Sequence, residues 1–276
     1  MLIDTHCHLD AAEFDADRMD VVRSAQRAGV EHVVIPAIEV ANLHIVKTLA
    51  HRWPGGCYAL GIHPLYVERA KAGDLDRLRH AIEAALPDPR FVAIGEIGLD
   101  FFVQAIASGE ARDKQIQFYE AQLRMALDYD LPVLLHVRRS QDQILKYIRR
   151  LPRSPGGIAH AYNGSDQQTD AFIAHNFALG VGGAMTYPRS TQIRRHAQSR
   201  ALENLVLETD SPDIAPAWMT PDDRRNTPGQ VSGIAQALAD LRGCEVGEVI
   251  RETGATALRV LPRLQRSRAT PPYQSV

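Results

Sequence analysis

The sequence predicts an α/β protein folded as one TIM-type (β/α)8 barrel, and three observations lead there. The chain has 276 residues, close to the roughly 250 that a single barrel occupies. Short apolar runs alternate with helix-length amphipathic stretches along its whole length, the serial βα pattern that builds a parallel sheet. No linker or low-complexity block interrupts the alternation. The expected domain spans 1–264, and the Ser-, Arg-, Pro- and Thr-rich residues 265–276 are expected to be a disordered tail.

The strand-like runs, in order, are Leu2–Thr5, His32–Ile35, Tyr58–Ile62, Val92–Gly95, Val133–Leu135, Gly157–Ala159, Ala178–Val181 and Leu205–Leu207. Several are rich in Val, Ile and Leu on both faces, as parallel strands covered by helices are. Between them helices are predicted near 17–28, 41–51, 74–85, 113–128, 141–150, 166–174, 190–198 and 230–242. The fourth is the clearest, with Ile116, Tyr119, Leu123, Met125 and Leu127 recurring among charged neighbours. A last amphipathic stretch, Val246–Leu261, is expected to pack outside the barrel.

Composition narrows the function. Charged residues make up 23% and the net charge is −2, which excludes a strongly basic nucleic-acid binder but not an enzyme that touches a few nucleotides. Met1-Leu2-Ile3 runs straight into Asp4 and His6 without a signal peptide, and no apolar stretch is long enough to span a bilayer. Cys7, Cys57 and Cys244 have no paired spacing and read as reduced thiols of a cytoplasmic protein.

The chemistry begins at Asp4-Thr5-His6-Cys7-His8. Residues two apart on a strand face the same side, so His6 and His8 share one space. At the C-terminal end of a barrel strand that space is the active-site mouth. Other strand ends carry the same kind of residue. The fourth ends in Gly95-Glu96-Ile97-Gly98-Leu99-Asp100, the fifth in His136-Val137-Arg138, the sixth in His160-Ala161-Tyr162 and the eighth in Glu208-Thr209-Asp210-Ser211-Pro212. One such residue is commonplace; metal-capable side chains at five strand ends in one register form a constellation.

Six ligands exceed what one tetrahedral ion needs and suit two divalent ions with a bridging carboxylate. The expected assignment gives one ion His6, His8, Glu96 and Asp210, and the other Glu96, His136 and His160. Glu96 is the bridge because a carboxylate has two oxygens to offer. Mixed nitrogen and oxygen donors leave zinc, manganese and magnesium open, with the histidines leaning toward the first two.

At this point the chain resembles a known family. Asp4-Thr5-His6-Cys7-His8-Leu9-Asp10, Gly61-Ile62-His63-Pro64, Gly95-Glu96-Ile97-Gly98-Leu99-Asp100 and Leu207-Glu208-Thr209-Asp210-Ser211-Pro212 look like the ordered signatures of TatD-type deoxyribonucleases of the amidohydrolase superfamily. Phe101-Phe102 and Gly182-Gly183-Ala184-Met185-Thr186-Tyr187-Pro188 resemble its YjjV-like branch. The resemblance implies a TIM-type barrel, divalent-metal phosphodiester hydrolysis and the ligands above. Three stretches depart from the family pattern: Val137-Arg138-Arg139, Ala161-Tyr162-Asn163-Gly164-Ser165 and Asp213. None removes a ligand, and all fall where substrate meets the mouth.

The expected function is therefore hydrolysis of phosphodiesters, as in a 3′–5′ exonuclease on single-stranded DNA, by a metal-activated water. Catalytic roles fall to Glu96 and Asp210, with Asp210 either orienting that water and taking its proton or serving as a ligand alone. His63 is expected to hydrogen-bond a substrate phosphate, or else to rigidify its turn. Arg138 is expected to clamp a phosphate, or else to be a solvated rim charge. Asp4 and Asp100 are expected to orient ligand histidines, and Cys7 to pack in the core. Phe101, Tyr162 and Tyr187 are candidates for stacking bases. The competing readings are a two-metal amidohydrolase or lactonase acting on a small molecule, and a non-catalytic metal-binding barrel. A glutamate, where many such amidohydrolases carry a carboxylated lysine, favours the nuclease.

Overall fold

The computed structural model describes residues 1–220 and 222–267. Eight strands lie in one sheet in the order β1 to β8. They are β1 (Leu2–Asp4), β2 (Val30–Pro36), β3 (Gly56–Leu60), β4 (Phe91–Asp100), β5 (Val133–Arg138), β6 (Gly157–His160), β7 (Phe177–Val181) and β8 (Leu205–Leu207). Every neighbouring pair is parallel. The last strand meets the first through Thr5 N–H donating to Leu207 O (3.0 Å), Asp210 N–H to His6 O (2.8 Å) and His8 N–H to Ser211 O (2.8 Å). The seam of the barrel thus runs through the residues singled out for chemistry.

The helices are α1 (Arg18–Arg27), α2 (Leu43–Ala50), α3 (Pro64–Val67), α4 (Asp74–Ala85), α5 (Gly109–Asp128), α6 (Gln141–Ile148), α7 (Asp166–Ala174), α8 (Thr191–Ser199), α9 (Val231–Arg242), α10 (Val246–Val260) and α11 (Leu264–Ser267). Local chemistry sets several ends. Ser165 and Gln168 form a reciprocal capping box at the start of α7, and α9 stops at Gly243 with φ 66°. Glycines within β4 look like strand breakers, yet the strand runs on to Asp100, beyond the Gly95 expected from sequence. At Gly98 a Cβ would lie 2.1 Å from His136 O, so only glycine lets β4 and β5 stay paired here.

Buried side chains fall into two groups. A large one fills the layer between sheet and helices. The other takes at least one residue from every strand, including Ile3, Val34, Val92, Leu134, Ile158 and Val206, and joins them to Ala257, Val260, Leu261 and Leu264. The end of α10 and the turn after it therefore plug the barrel. The expectation that Val246–Leu261 packs outside the barrel holds for its first part, where Val249 joins the layer under the helices with Val246 and Ile250 against it; from Ala257 onward the stretch turns beneath the strands instead. Arg263 donates to Leu86 O (2.7 Å), Asp88 O (2.8 Å) and Phe91 O (2.6 Å), fixing the plug at the N-terminal end of β4. The first residues of the expected tail, 265–267, belong to α11; the rest of it lies outside the described residues.

Candidate metal centre

The opposite, C-terminal end of the barrel opens into a cavity of about 860 Å³ whose lining includes His8, His63, Glu96, His136, His160 and Asp210. His6 lies beneath them, fully buried. All six expected ligands converge. Glu96, buried within β4 between Gly95 and Gly98, divides its oxygens. Oε2 lies 3.1 Å from His6 Nε2 and 3.5 Å from His8 Nε2. Oε1 lies 3.0 Å from His136 Nδ1 and 4.0 Å from His160 Nε2. Asp210 Oδ1 is 3.7 Å from His6 Nε2 and 3.5 Å from His8 Nε2, while its Oδ2 is 3.6 Å from His160 Nε2.

Groups of atoms close enough to hold one ion are His6, His8 and Glu96; His6, His160 and Asp210; and His63, Glu96 and His136. These groups overlap, and His160 and His63 each stand close to more than one of them. His160, its ring stacked on His6 at 3.8 Å, lies between the two expected sets, with Nε2 3.6 Å from Asp210 Oδ2 and 4.0 Å from Glu96 Oε1. His63 lines the cavity, and its Nε2 sits 3.3 Å from Glu96 Oε1 and 3.0 Å from His136 Nδ1.

The far nitrogens of the rings separate ligands from donors. His136 Nε2 faces Asp100 Oδ2 at 3.0 Å and His160 Nδ1 faces Glu208 Oε1 at 3.1 Å. A proton on each of those nitrogens leaves the inner one, Nδ1 of His136 and Nε2 of His160, with a free lone pair. His63 is the reverse case. Its Nδ1 accepts the Leu65 N–H (3.1 Å) as the N-cap of α3, which leaves a neutral ring with its proton on Nε2. Burial also lowers His63 to about 4, keeping it neutral. It enters the cluster as a hydrogen-bond donor.

Charge in the cluster is balanced unevenly. Burial works to raise Glu96, but His63, His6 and His136 hold it well below the usual carboxylate range. Burial raises Asp210 to about 6 against the pull of His160 and His8. Burial opposes charge on His8 and His160, yet Glu96 and Asp210 lift the first to about 9, and Asp210 with Glu208 lift the second to about 10. His6 is lowered by burial and by His160. Nitrogen lone pairs and carboxylate oxygens converging on one polar pocket are the donor set that divalent cations take, in exchange for protons.

Glu208 is the residue that sequence reasoning overlooked, although it stands in the Leu207–Pro212 motif. Besides His160 it accepts the Ala161 N–H at 2.6 Å, holding Ala161 at φ 42°. At Gly180 a Cβ would lie 2.2 Å from Glu208 Oε2, so glycine makes the room for this carboxylate. Asp100 orients His136 as expected. Asp4 does not touch a ligand ring. It accepts from the His6 N–H (3.3 Å), the Thr209 N–H (2.9 Å) and the Thr209 hydroxyl (2.6 Å), clamping the backbone across the β1–β8 seam. Cys7 is buried in the core, its Sγ 3.0 Å from Ser211 Oγ.

At the rim, the Arg138 guanidinium is exposed, with Nη1 3.9 Å from Asp100 Oδ2. Of the expected stacking residues, Tyr162 is buried against Phe172, Tyr187 hydrogen-bonds Ala215 O, and Phe101 lies under Arg112. None of the three lines the cavity; Phe102 and Tyr66 do. The alternation runs unbroken past the strand end: Glu96, Asp100 and Phe102 face the mouth, while Ile97, Leu99 and Phe101 pack into the layer under the helices.

Comparison with known proteins agrees with the motifs. The TatD related DNase family matches residues 3–262. An Escherichia coli (strain K12) protein named uncharacterized metal-dependent hydrolase YjjV is 36% identical over 87% of this chain and 90% of its own length. A protein of Erwinia billingiae named 3'-5' ssDNA/RNA exonuclease TatD is 31% identical over 94% of this chain and 98% of its own. The crystal structure of YjjV from E. coli K12, a TatD homolog, superposes with a TM-score of 0.86 at 34% identity, covering 95% of this chain and 98% of that one. No helix among the described residues is long and apolar enough to cross a membrane.

Proposed function

The chain belongs to the TatD related DNase family, and from that premise we propose that it is a two-metal phosphodiesterase that shortens single-stranded nucleic acid from the 3′ end. The observation that carries this reading is the division of Glu96, with Oε2 toward His6 and His8 and Oε1 toward His136. His6, His8, Glu96 and Asp210 would hold one ion, and Glu96, His136 and His160 the other. The histidine-rich donors favour zinc or manganese over magnesium. Bound there, such ions supply Lewis acidity toward phosphate oxygens and water.

The chain's own groups complete the chemistry. His63 donates from Nε2 to a phosphate oxygen, its other nitrogen being committed to the α3 N-terminus. Asp210, lining the cavity on the β8 side, orients the attacking water and accepts its proton. Arg138 pairs with a phosphate at the rim. Asp100 and Glu208 fix the His136 and His160 rings. The family name of the Erwinia relative supports the single-stranded substrate and the polarity, for RNA as well as DNA.

The test is a 5′-labelled single-stranded oligonucleotide incubated with manganese- or zinc-reconstituted protein. A ladder of products shortened from the 3′ end, lost with EDTA and with Glu96→Ala, is expected. Metal bound at roughly two equivalents with no diester cut would overturn the nuclease reading.

A further inference from the structure

The rim of the cavity is electrostatically lopsided. Among the described lining residues the arginines are Arg138 and Arg139, following β5, while the carboxylates outside the ligand cluster are Asp10 and Glu13 after β1 and Asp213 after β8. In an eight-stranded barrel the β4–β5 side lies across from the β8–β1 side. The basic side also carries an aromatic. Phe102 is 42% exposed, and the Arg138 and Arg139 guanidinium carbons sit 3.9 Å and 4.7 Å from its ring centroid. Asp100 ties this group to the cluster: its Oδ1 accepts the Phe102 N–H (2.8 Å), and its Oδ2 faces both His136 and Arg138.

We propose that Phe102, with Arg138 and Arg139, is the platform over which the uncut part of a single-stranded polynucleotide leaves the catalytic cluster. The inference rests on the nuclease reading and assigns it a direction. A base stacks on the phenyl ring while its flanking phosphates meet the two guanidiniums, a combination that tolerates any sequence. The opposite rim repels a second run of phosphates, so the side beyond the scissile bond accepts only a short terminal piece. Net charge of −2 is compatible with this, because the positive charge is local rather than global.

The probe is a fluorescein-labelled ten-nucleotide strand with phosphorothioate linkages, titrated into manganese-loaded protein, beside cleavage of the ordinary strand and of bis-p-nitrophenyl phosphate. Phe102→Ala and Arg139→Glu are each expected to weaken binding roughly tenfold, and Arg139→Glu to lower the salt dependence by about one unit of slope. Phe102→Trp is expected to restore binding, and the ratio of strand to small-diester cleavage to fall in the first two variants only. Glu13→Gln and Asp213→Asn are expected to hold or improve binding. Unchanged binding in Phe102→Ala and Arg139→Glu overturns the platform, as does equal weakening from the acidic rim. A wild-type protein that binds the strand through Phe102 but cuts neither substrate upholds the platform and overturns the catalytic reading instead.

Discussion

The two ends of the barrel are made from the same strands and do opposite things. At the closed end Ile3, Val34, Val92, Leu134, Ile158 and Val206 meet Ala257, Val260, Leu261 and Leu264 in an apolar plug. At the open end, a few residues further along β1, β4, β5 and β6, buried imidazoles and carboxylates face one another. Burying polar groups costs free energy unless partners compensate, and apolar burial supplies it. Stability is thus concentrated at one end and reactivity at the other, as barrel enzymes arrange them.

The sharpest way to break this division is Glu96→Ala. Because both halves of the cluster lean on this one carboxylate, diester hydrolysis should fall by roughly three orders of magnitude or more. The circular dichroism spectrum should stay that of the wild type. Activity falling only in step with lost folded protein would mean that Glu96 serves the fold. Leu261→Ala probes the other end. Removing a fully buried leucine from the plug should cost about 2–5 kcal/mol in urea unfolding. The fraction still folded should turn over at the wild-type rate; a proportionate loss of kcat would show the ends to be coupled.

The same contrast explains what the sequence disclosed. The open end was legible because its residues are chemically rare: His6, His8, Glu96, His136, His160 and Asp210 stand at strand ends, and the fold brings all six together. The closed end was legible as apolar pattern only. A hydrophobic stripe states that Val246–Leu261 packs, not against what. Side-chain pairing was least legible. Asp4 and Glu208 each stand two residues before an expected ligand, but which carboxylate meets a ring and which meets backbone depends on the closing of β1 against β8. Phe101 and Phe102 differ by one residue, and counting by twos from Glu96 already points to Phe102 as the one that faces the mouth.

Glu208 separates a group that acts through a ligand from one that acts through the fold. Glu208→Gln keeps the shape but weakens the acceptor on His160 Nδ1, so metal affinity should drop about 10–100-fold. Metal titration by calorimetry reads it directly. Asp4→Asn, one seam away and without a ring contact, should lower thermal stability more than metal affinity. The reverse order would exchange the two roles.

The smallest effect lies on the outer wall of the open end. Arg225 donates to both carboxylate oxygens of Asp17 at 2.7 Å and to Glu13 O at 2.8 Å, joining the segment after β8 to the start of α1. The Arg225 guanidinium holds the Asp17 carboxyl below its ordinary value. A carboxylate whose pKa is depressed by folding stabilises the protein above its unfolded value, and that share is lost as pH falls through the folded one. Asp17→Asn should therefore lower Tm by a degree or so, about what a solvent-exposed pair contributes in a domain of this size. The gap should close in acid, once pH falls through the depressed Asp17 value, and in ~1 M salt, where the Debye length shrinks to about 3 Å. A gap that persists under both conditions would assign Asp17's contribution to backbone geometry at the α1 N-terminus. It would also leave the rim's acidic side, Glu13 included, held in place by something other than this ion pair.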